Sequence, residues 1–285
     1  MNAIRRQCQP AVLKRRFWQC ARWIFVLVML TLFLFPLYYT ITLSLKLEVD
    51  AFAYPPKWIF KPTFKNFVIL FSEEGFGHYL LNSMFISACC VVVSMLFGIP
   101  MAYGLSRCRA RWVTPVMFFI LAMRVMPPMS ILIPTFSVYV KLGWVDTYWG
   151  VVLMYLTFTM PMCLWMLKNG FDGIPQGIEE AGRIDGCSTV QVLLWVAGPI
   201  VAEAMAAAAI LVWVYSWNEF LYALILTRNT TKTAPVMINS FMNFESIRWG
   251  EISAAAVVIS SPVVLFGVLV RRYLVSGLSA GALKE

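Results

Sequence analysis

The sequence predicts an all-α membrane protein with six transmembrane helices and a helix–turn–helix loop on the cytoplasmic side. Three observations carry that expectation. Of 285 residues, 60% are hydrophobic and only 13% charged, with a mean hydropathy of +0.75; soluble domains run nearer half apolar and about a quarter charged. The apolar residues fall in blocks of about 20, the length at which a helix crosses the hydrocarbon core, and a helix satisfies its own backbone there. Lysine and arginine concentrate in alternate connections, as the positive-inside bias requires.

The elements follow in order. A basic arm, 1–22, carries Arg5, Arg6, Lys14, Arg15, Arg16 and Arg22 and leads into a first span at 23–45. A basic stretch before an apolar run is also how a signal peptide begins. Here the run is too long, and Pro36-Leu37-Tyr38-Tyr39 stands where a small-residue cleavage site is needed, so the span is expected to be an uncleaved anchor. The outer loop at 46–80 holds Pro55-Pro56, Pro62 and an amphipathic stretch, Phe64 to Phe71, expected to lie along the outer surface. A second span at 81–104 ends in a short basic loop with Arg107, Arg109 and Arg111. The third, 115–138, is interrupted by Pro127, Pro128 and Pro134 and is expected to be kinked or partly unwound. A tight outer connection, Lys141 to Asp146, precedes a fourth span at 148–168.

The polar loop at 169–199 separates the fourth span from a fifth at 200–226. An outer loop with scattered aromatics, 227–251, precedes a sixth at 253–275, and a tail, 276–285, ends the chain. The membrane domain is thus 23–275. With Lys168, Arg183, Arg271, Arg272 and Lys284 on the side of the basic arm, both termini and the 169–199 loop are expected in the cytoplasm. Trp23, Trp58, Trp144, Trp149 and Trp249 sit near span ends, as interfacial anchors do. The net charge of +9 reads as topology signal and inner-leaflet attraction; it gives little support to nucleic-acid binding. The cysteines at 8, 20, 89, 90, 108, 163 and 187 form no CxxC pair and read as small apolar fillers. Ala204 and Ala208, Ser83 and Ser87, and Ser94 and Gly98 have the spacing that lets membrane helices approach closely, within this chain or against a second subunit.

The 169–199 loop is the most informative stretch. Pro175 suits the first turn of a helix, where its missing donor costs nothing, and Glu179 and Glu180 fall near that helix's positive end. Asp185-Gly186 is a turn dipeptide. Ser188 with Gln191 has the reciprocal capping pattern that starts a second helix, and Pro199 is expected to stop it. The product is an elbow fixed between two membrane helices.

Glu180-Ala181, Gly186 six residues on and Pro199 thirteen beyond that together resemble the EAA loop of importer-type ABC permeases. Gly182 stands where that family usually has alanine, and Gly198 where an aliphatic residue usually precedes the proline. Trp217-Asn218-Glu219-Phe220 is similar to the WNEF signature of the carbohydrate-uptake, maltose-type branch. Arg124 with Pro127-Pro128, Asp146-Thr147, Thr233 with Pro235-Val236, and the tail at 277–284 fit the same branch. The resemblance covers nearly the whole chain after the basic arm.

It implies a type I ABC importer permease fold in the bacterial inner membrane, and three kinds of neighbour besides the lipid bilayer. These are a second homologous permease, a dimer of nucleotide-binding ATPase subunits, and an extracytoplasmic solute-binding protein delivering a sugar or sugar-like solute. In that family the loop docks on the ATPase, so Glu179, Glu180, Ala181, Gly182, Asp185, Gly186 and Pro199 become the expected coupling residues. The outer loop is expected to meet the binding protein, and the tail near 277–284 the ATPase dimer. No cofactor is expected in this chain, with ATP held by the partner subunits. The chain itself contains no GxxxxGK[ST] phosphate loop.

Arg124, Glu203 and Glu219 fall inside spans, where a charge marks a functional candidate. At about 1.5 Å per residue, Arg124 lies roughly 15 Å from the cytoplasmic end, Glu219 roughly 28 Å and Glu203 about 5 Å, so no carboxylate shares the arginine's depth and its partner stays open. Asn218 and Glu219 beside Trp217 and Tyr222 combine the polar groups and aromatic faces that sugars need; with Arg124 they are the candidate substrate path. Hydrogen bonding of Asn218 and Glu219 to a neighbouring helix or a broken backbone is the competing role. An ion-coupled secondary transporter is the alternative function, but it predicts mid-membrane carboxylates and repeated halves, which the sequence lacks. An intramembrane hydrolase has even less support, since there is one histidine, His78, outside the spans, and no HExxH.

Overall fold

The computed structural model describes the backbone of residues 2–242 and 247–282, and the side chains of residue 16, 18–242 and 247–267. Arg5, Arg6, Lys14 and Arg15 of the arm, Arg271 and Arg272, and the tail side chains lie outside the described ones.

The described residues are helical nearly throughout. They run α1 Asn2–Ser44, α2 Glu48–Ala51, α3 Lys65–Val68, α4 Phe76–Arg107, α5 Val113–Met123, α6 Pro128–Leu142, α7 Tyr148–Asp172 and α8 Gln176–Ile184. Then come α9 Thr189–Gln191, α10 Gly198–Ile200, α11 Ala202–Trp217, α12 Leu221–Leu226, α13 Ala234–Ile238 and α14 Trp249–Ala282. Four stretches are long and apolar enough to cross a bilayer: Trp18–Ser44, Phe76–Arg107, Tyr148–Asp172 and Trp249–Gly267. Two bent pairs bring the total to six.

The chain divides into two compact units. The first comprises residues 1–70 and 248–257. In it Asn66 donates to the carbonyls of Ser44 and Lys46, both at 2.9 Å, tying the end of α1 to α3. Lys46 donates to the Lys57 carbonyl at 2.7 Å and lies over the Phe60 ring. The amphipathic stretch expected at Phe64 to Phe71 is α3 continued by a π-helical turn, Ile69–Glu73.

The second unit, 71–247 and 258–285, is built on α4, α7 and α11, which pack against one another. Lipid is as apolar as leucine, so close backbone approach and good packing hold such helices together. The small residues supply that approach. Ser83, Ser87, Ser94 and Gly98 lie buried along α4, and a Cβ at Gly98 would meet Cys163 Sγ of α7 at 3.1 Å. A Cβ at Gly170 would meet that of Ala204 at 2.9 Å. These stripes are therefore used inside the chain.

The third span is bent at the proline pair, as its sequence leads one to expect: it is two helices, α5 and α6, meeting at 85°, with Pro134 inside α6. Two expectations need correction. The fifth is not one helix to 226: it stops at Trp217 and restarts at Leu221. Asn218 Nδ2 bonds back to the Val214 carbonyl at 2.8 Å, and Glu219 Oε1 accepts from Tyr222 N at 2.9 Å. Side chains that bond locally to backbone in this way compete with the helix. Pro199 does not stop its helix either. It occupies the first turn of α10, where no donor is needed, and the chain instead bends by 83° between Ile200 and Ala202.

Candidate functional site

The 169–199 loop folds as the elbow its sequence describes, with differences that matter. Pro175 caps α8 from outside instead of entering it. Gly186 has φ +89, a left-handed conformation that a Cβ disfavours, and turns the chain toward α9. Ser188 and Gln191 form the reciprocal capping box. A π-helical turn, Val192–Ala197, then carries α9 into α10. The two glycines that depart from the family pattern belong to this packing. A Cβ at Gly182 would press Val196 of the π turn at 3.3 Å, and one at Gly198 would reach the Leu193 carbonyl oxygen at 2.9 Å.

The two adjacent glutamates face opposite ways. Glu180 is exposed, as are Ala181 and Asp185. Glu179 is only 3% exposed and is held from within the bundle. Arg107 Nε lies 3.0 Å from both carboxylate oxygens, Arg107 Nη2 closes the ion pair, and Tyr103 Oη donates at 2.9 Å. Arg107 also donates to the Phe171 carbonyl at 3.1 Å and to Ser106 Oγ at 3.0 Å. Ser106 in turn donates to Asp172, which pairs with Lys168. One guanidinium thus fastens the end of α4 to the end of α7 and the first turn of α8. Burial alone would raise the Glu179 carboxyl; the Arg107 and Tyr103 hydrogen bonds and the Arg107 charge outweigh it and hold the group below the usual carboxylate range.

The exposed side of the elbow is apolar as well as acidic. Ile184 is 85% exposed and Trp195 69%, with Val190 and Leu194 also open. Solvated loops rarely collect large apolar side chains, so this patch has the composition of a contact surface.

The candidate substrate path divides. Trp217 and Tyr222 are buried in packing: Trp217 stacks on Trp213 and donates to the Ile259 carbonyl at 3.0 Å, and Tyr222 stacks on Phe158. Asn218 is exposed and Glu219 half-buried, both at the break between α11 and α12. Arg124 caps α5 at the other break, and its guanidinium lies 4.6 Å from the centre of the Tyr215 ring of α11. An aromatic face supplies the cation's partner, which matching carboxylate depths had no means to find. Among the described residues no cluster of three or more His, Cys, Asp or Glu has the arrangement to hold a metal.

Sequence reasoning missed a second polar assembly near the N-terminal ends of α4 and α7. Asp146 accepts from the amides of Arg228, Thr230 and Thr231 and from the Thr231 hydroxyl, at 2.8–3.0 Å. Asn82 donates to the carbonyls of Thr230 and Lys232, both at 3.0 Å, and accepts from Tyr148 Oη at 2.8 Å. Ser83 accepts from the Ala234 amide at 2.9 Å. Burial works against the Asp146 charge, but four donors hold its carboxyl well below the ordinary value. Only the Asp146-Thr147 signature hinted at this site.

Comparison with known proteins agrees with the resemblance. Residues 94–280 match the family described as "Binding-protein-dependent transport system inner membrane component". The trehalose/maltose transport system permease protein MalG of Thermococcus litoralis is 33% identical over 262 residues, covering 90% of this chain and 94% of that one. The sulfoquinovosyl glycerol transport system permease protein SmoH of Agrobacterium fabrum is 32% identical, covering 92% and 93%. Among solved structures, a bacterial ABC transporter involved in import of the acidic polysaccharide alginate superposes with a TM-score of 0.77 at 22% identity, over 90% of this chain and 96% of that one; it shares the fold. With the family match spanning more than half the chain and full-length relatives at this identity, the chain belongs to the family of binding-protein-dependent transport system inner membrane components.

Proposed function

We propose that this chain is one of two permease subunits of an ATP-driven importer for a sugar or sugar-like solute, with both termini and the elbow loop in the cytoplasm of a bacterial cell. Two ATPase subunits supply the energy and an extracytoplasmic solute-binding protein delivers the cargo. The relatives named for trehalose, maltose and sulfoquinovosyl glycerol transport support the solute class. The observation that carries the mechanism is the elbow: a short stiff helix presents Glu180, Asp185 and Ile184 outward while Glu179 is locked inward to Arg107. A push on the outer face therefore moves the ends of α4 and α7 with it. Glu179 acts in coupling as the brace, and Glu180 and Asp185 as the contact.

The two helix breaks serve the solute path. Irregular backbone at membrane depth is stable only inside protein or along a water-filled cavity. Val125 and Met126 beside Arg124, and Asn218 at the second break, are open in the single chain. The second permease or the path itself covers them. Arg124, Asn218 and Glu219 are then the groups able to touch a solute, with Trp217 and Tyr222 setting their positions.

The test is Glu180→Lys in the transporter assembled with its ATPase subunits. Membrane insertion and assembly are expected to stay normal, while uptake of labelled sugar falls and ATP hydrolysis continues. Full uptake by this variant would remove the elbow's role.

A further inference from the structure

Helix α4 is fastened at both ends to segments that are themselves connections. At its cytoplasmic end Tyr103 and Arg107 hold Glu179 of the elbow. At its outer end Asn82 and Ser83 hold the outer segment at 230–234 through two carbonyls and one amide, with His78 Nε2 3.4 Å from the Asn82 amide nitrogen. Asp146 and Tyr148 complete the outer anchor. The 25 residues between Asn82 and Arg107 span about 38 Å at 1.5 Å per residue, more than the hydrocarbon thickness. Between the anchors the helix is continuous through Pro100 and packs on both α7 and α11. A close approach, Gly98 against Cys163, leaves little room for α4 to slide on α7.

From this geometry we infer that α4 is the strut that makes the elbow and the outer loop at 228–234 move together, with Asn82 and Arg107 as its positioning residues. The inference rests on the reading of the elbow as the ATPase contact. It adds that nucleotide state at the ATPase is felt at the outer loop through α4, in addition to the neighbouring spans α7 and α11 that enter and leave the elbow. Arg107 pairs with a carboxylate and the Asn82 amide donates to two backbone carbonyls, so each end can be cut without touching the other.

The experiment is amide hydrogen exchange on the complete transporter, with and without ATP and vanadate, so the unidentified solute is not needed. In the wild type, exchange at the amides of Arg228, Thr230 and Thr231 is expected to change on vanadate trapping. In Arg107→Gln those amides should keep their resting protection but lose the response, a result that a merely structural role for Arg107 would not produce. Asn82→Asp sets a carboxylate against the two carbonyls that Asn82 served. It should abolish the same response while the segment 103–110 still answers to nucleotide. A wild-type response in both variants overturns the strut and leaves the elbow standing. No nucleotide response anywhere in the wild type overturns the elbow reading and the strut together.

Discussion

The two ends of α4 are anchored by different chemistry. At the Arg107 end an ion pair joins α4 to α8, side chain to side chain, and the same guanidinium reaches the Phe171 carbonyl of α7. At the Asn82 end Asp146 and Asn82 grip main-chain amides and carbonyls of one loop. The first arrangement depends on two residues matching each other. The second depends on one residue matching a backbone shape, which many sequences adopt. The Arg107 anchor should therefore be lost and regained by paired substitution, whereas the Asn82 anchor should be lost by single substitution and regained by none.

The largest effect tests the Arg107 half of that contrast. Arg107→Leu leaves Glu179 buried without its counter-ion, and should cost about 3–5 kcal/mol, read as a drop in the thermal transition of the purified permease. Adding Glu179→Leu should recover most of the loss, because replacing both members of a buried pair is often neutral. Failure of the double variant to recover would show that the hydrogen bonds to Phe171 and Ser106 matter more than the pair.

Next in size, Asp146→Ala strips three amides of their acceptor and should cost about 1–3 kcal/mol, seen as faster amide exchange at Arg228, Thr230 and Thr231. Asp146→Asn should cost less, since asparagine tolerates the left-handed backbone, φ 58, found there and keeps one acceptor oxygen. No substitution on the loop side is expected to rescue either variant.

Both anchors share a pH dependence. The Glu179 and Asp146 carboxyls lie below their ordinary values, so the unfolded chain takes up protons first as pH falls. Their stabilisation is complete above the ordinary carboxylate pKa, about 4, and drains away as pH falls through the lowered values. Thermal stability in mild detergent should thus decline below about pH 4, and Asp146→Asn combined with Glu179→Gln should flatten that decline. An unchanged slope in the double variant would assign the acid sensitivity to other groups.

The smallest effect concerns the elbow's own packing. Gly182→Ala gains up to about 1 kcal/mol of helix propensity and forces Val196 to yield a few tenths of an ångström. The net change should stay within about 0.5 kcal/mol, with uptake unchanged.

Much of this architecture was legible because membrane burial writes itself in long apolar blocks and charge asymmetry. The elbow was legible too, since turn and capping chemistry are local: Asp185-Gly186 and Ser188 with Gln191 need no knowledge of distant residues. What stayed hidden depends on distance. Whether Glu179 or Glu180 faces inward is decided by Arg107, 72 residues away. Asp146 reaches amides more than 80 residues on, and a backbone amide leaves no mark in the sequence. The break at Asn218 escaped for a different reason. A span read by hydropathy alone cannot register Glu219 turning its carboxylate onto the amide of Tyr222.

The broken third segment bears on how the protein is made. Its halves, 11 and 15 residues long, reach only about 16 and 22 Å against a core of about 30 Å. Neither can partition into lipid as a spanning unit when it leaves the ribosome. The pair is expected to enter together, with Val125 and Met126 at the break exposed until later-synthesised segments shelter them. Biogenesis of this permease is then ordered in time, and the stage most exposed to quality-control proteases is the interval before that shelter arrives.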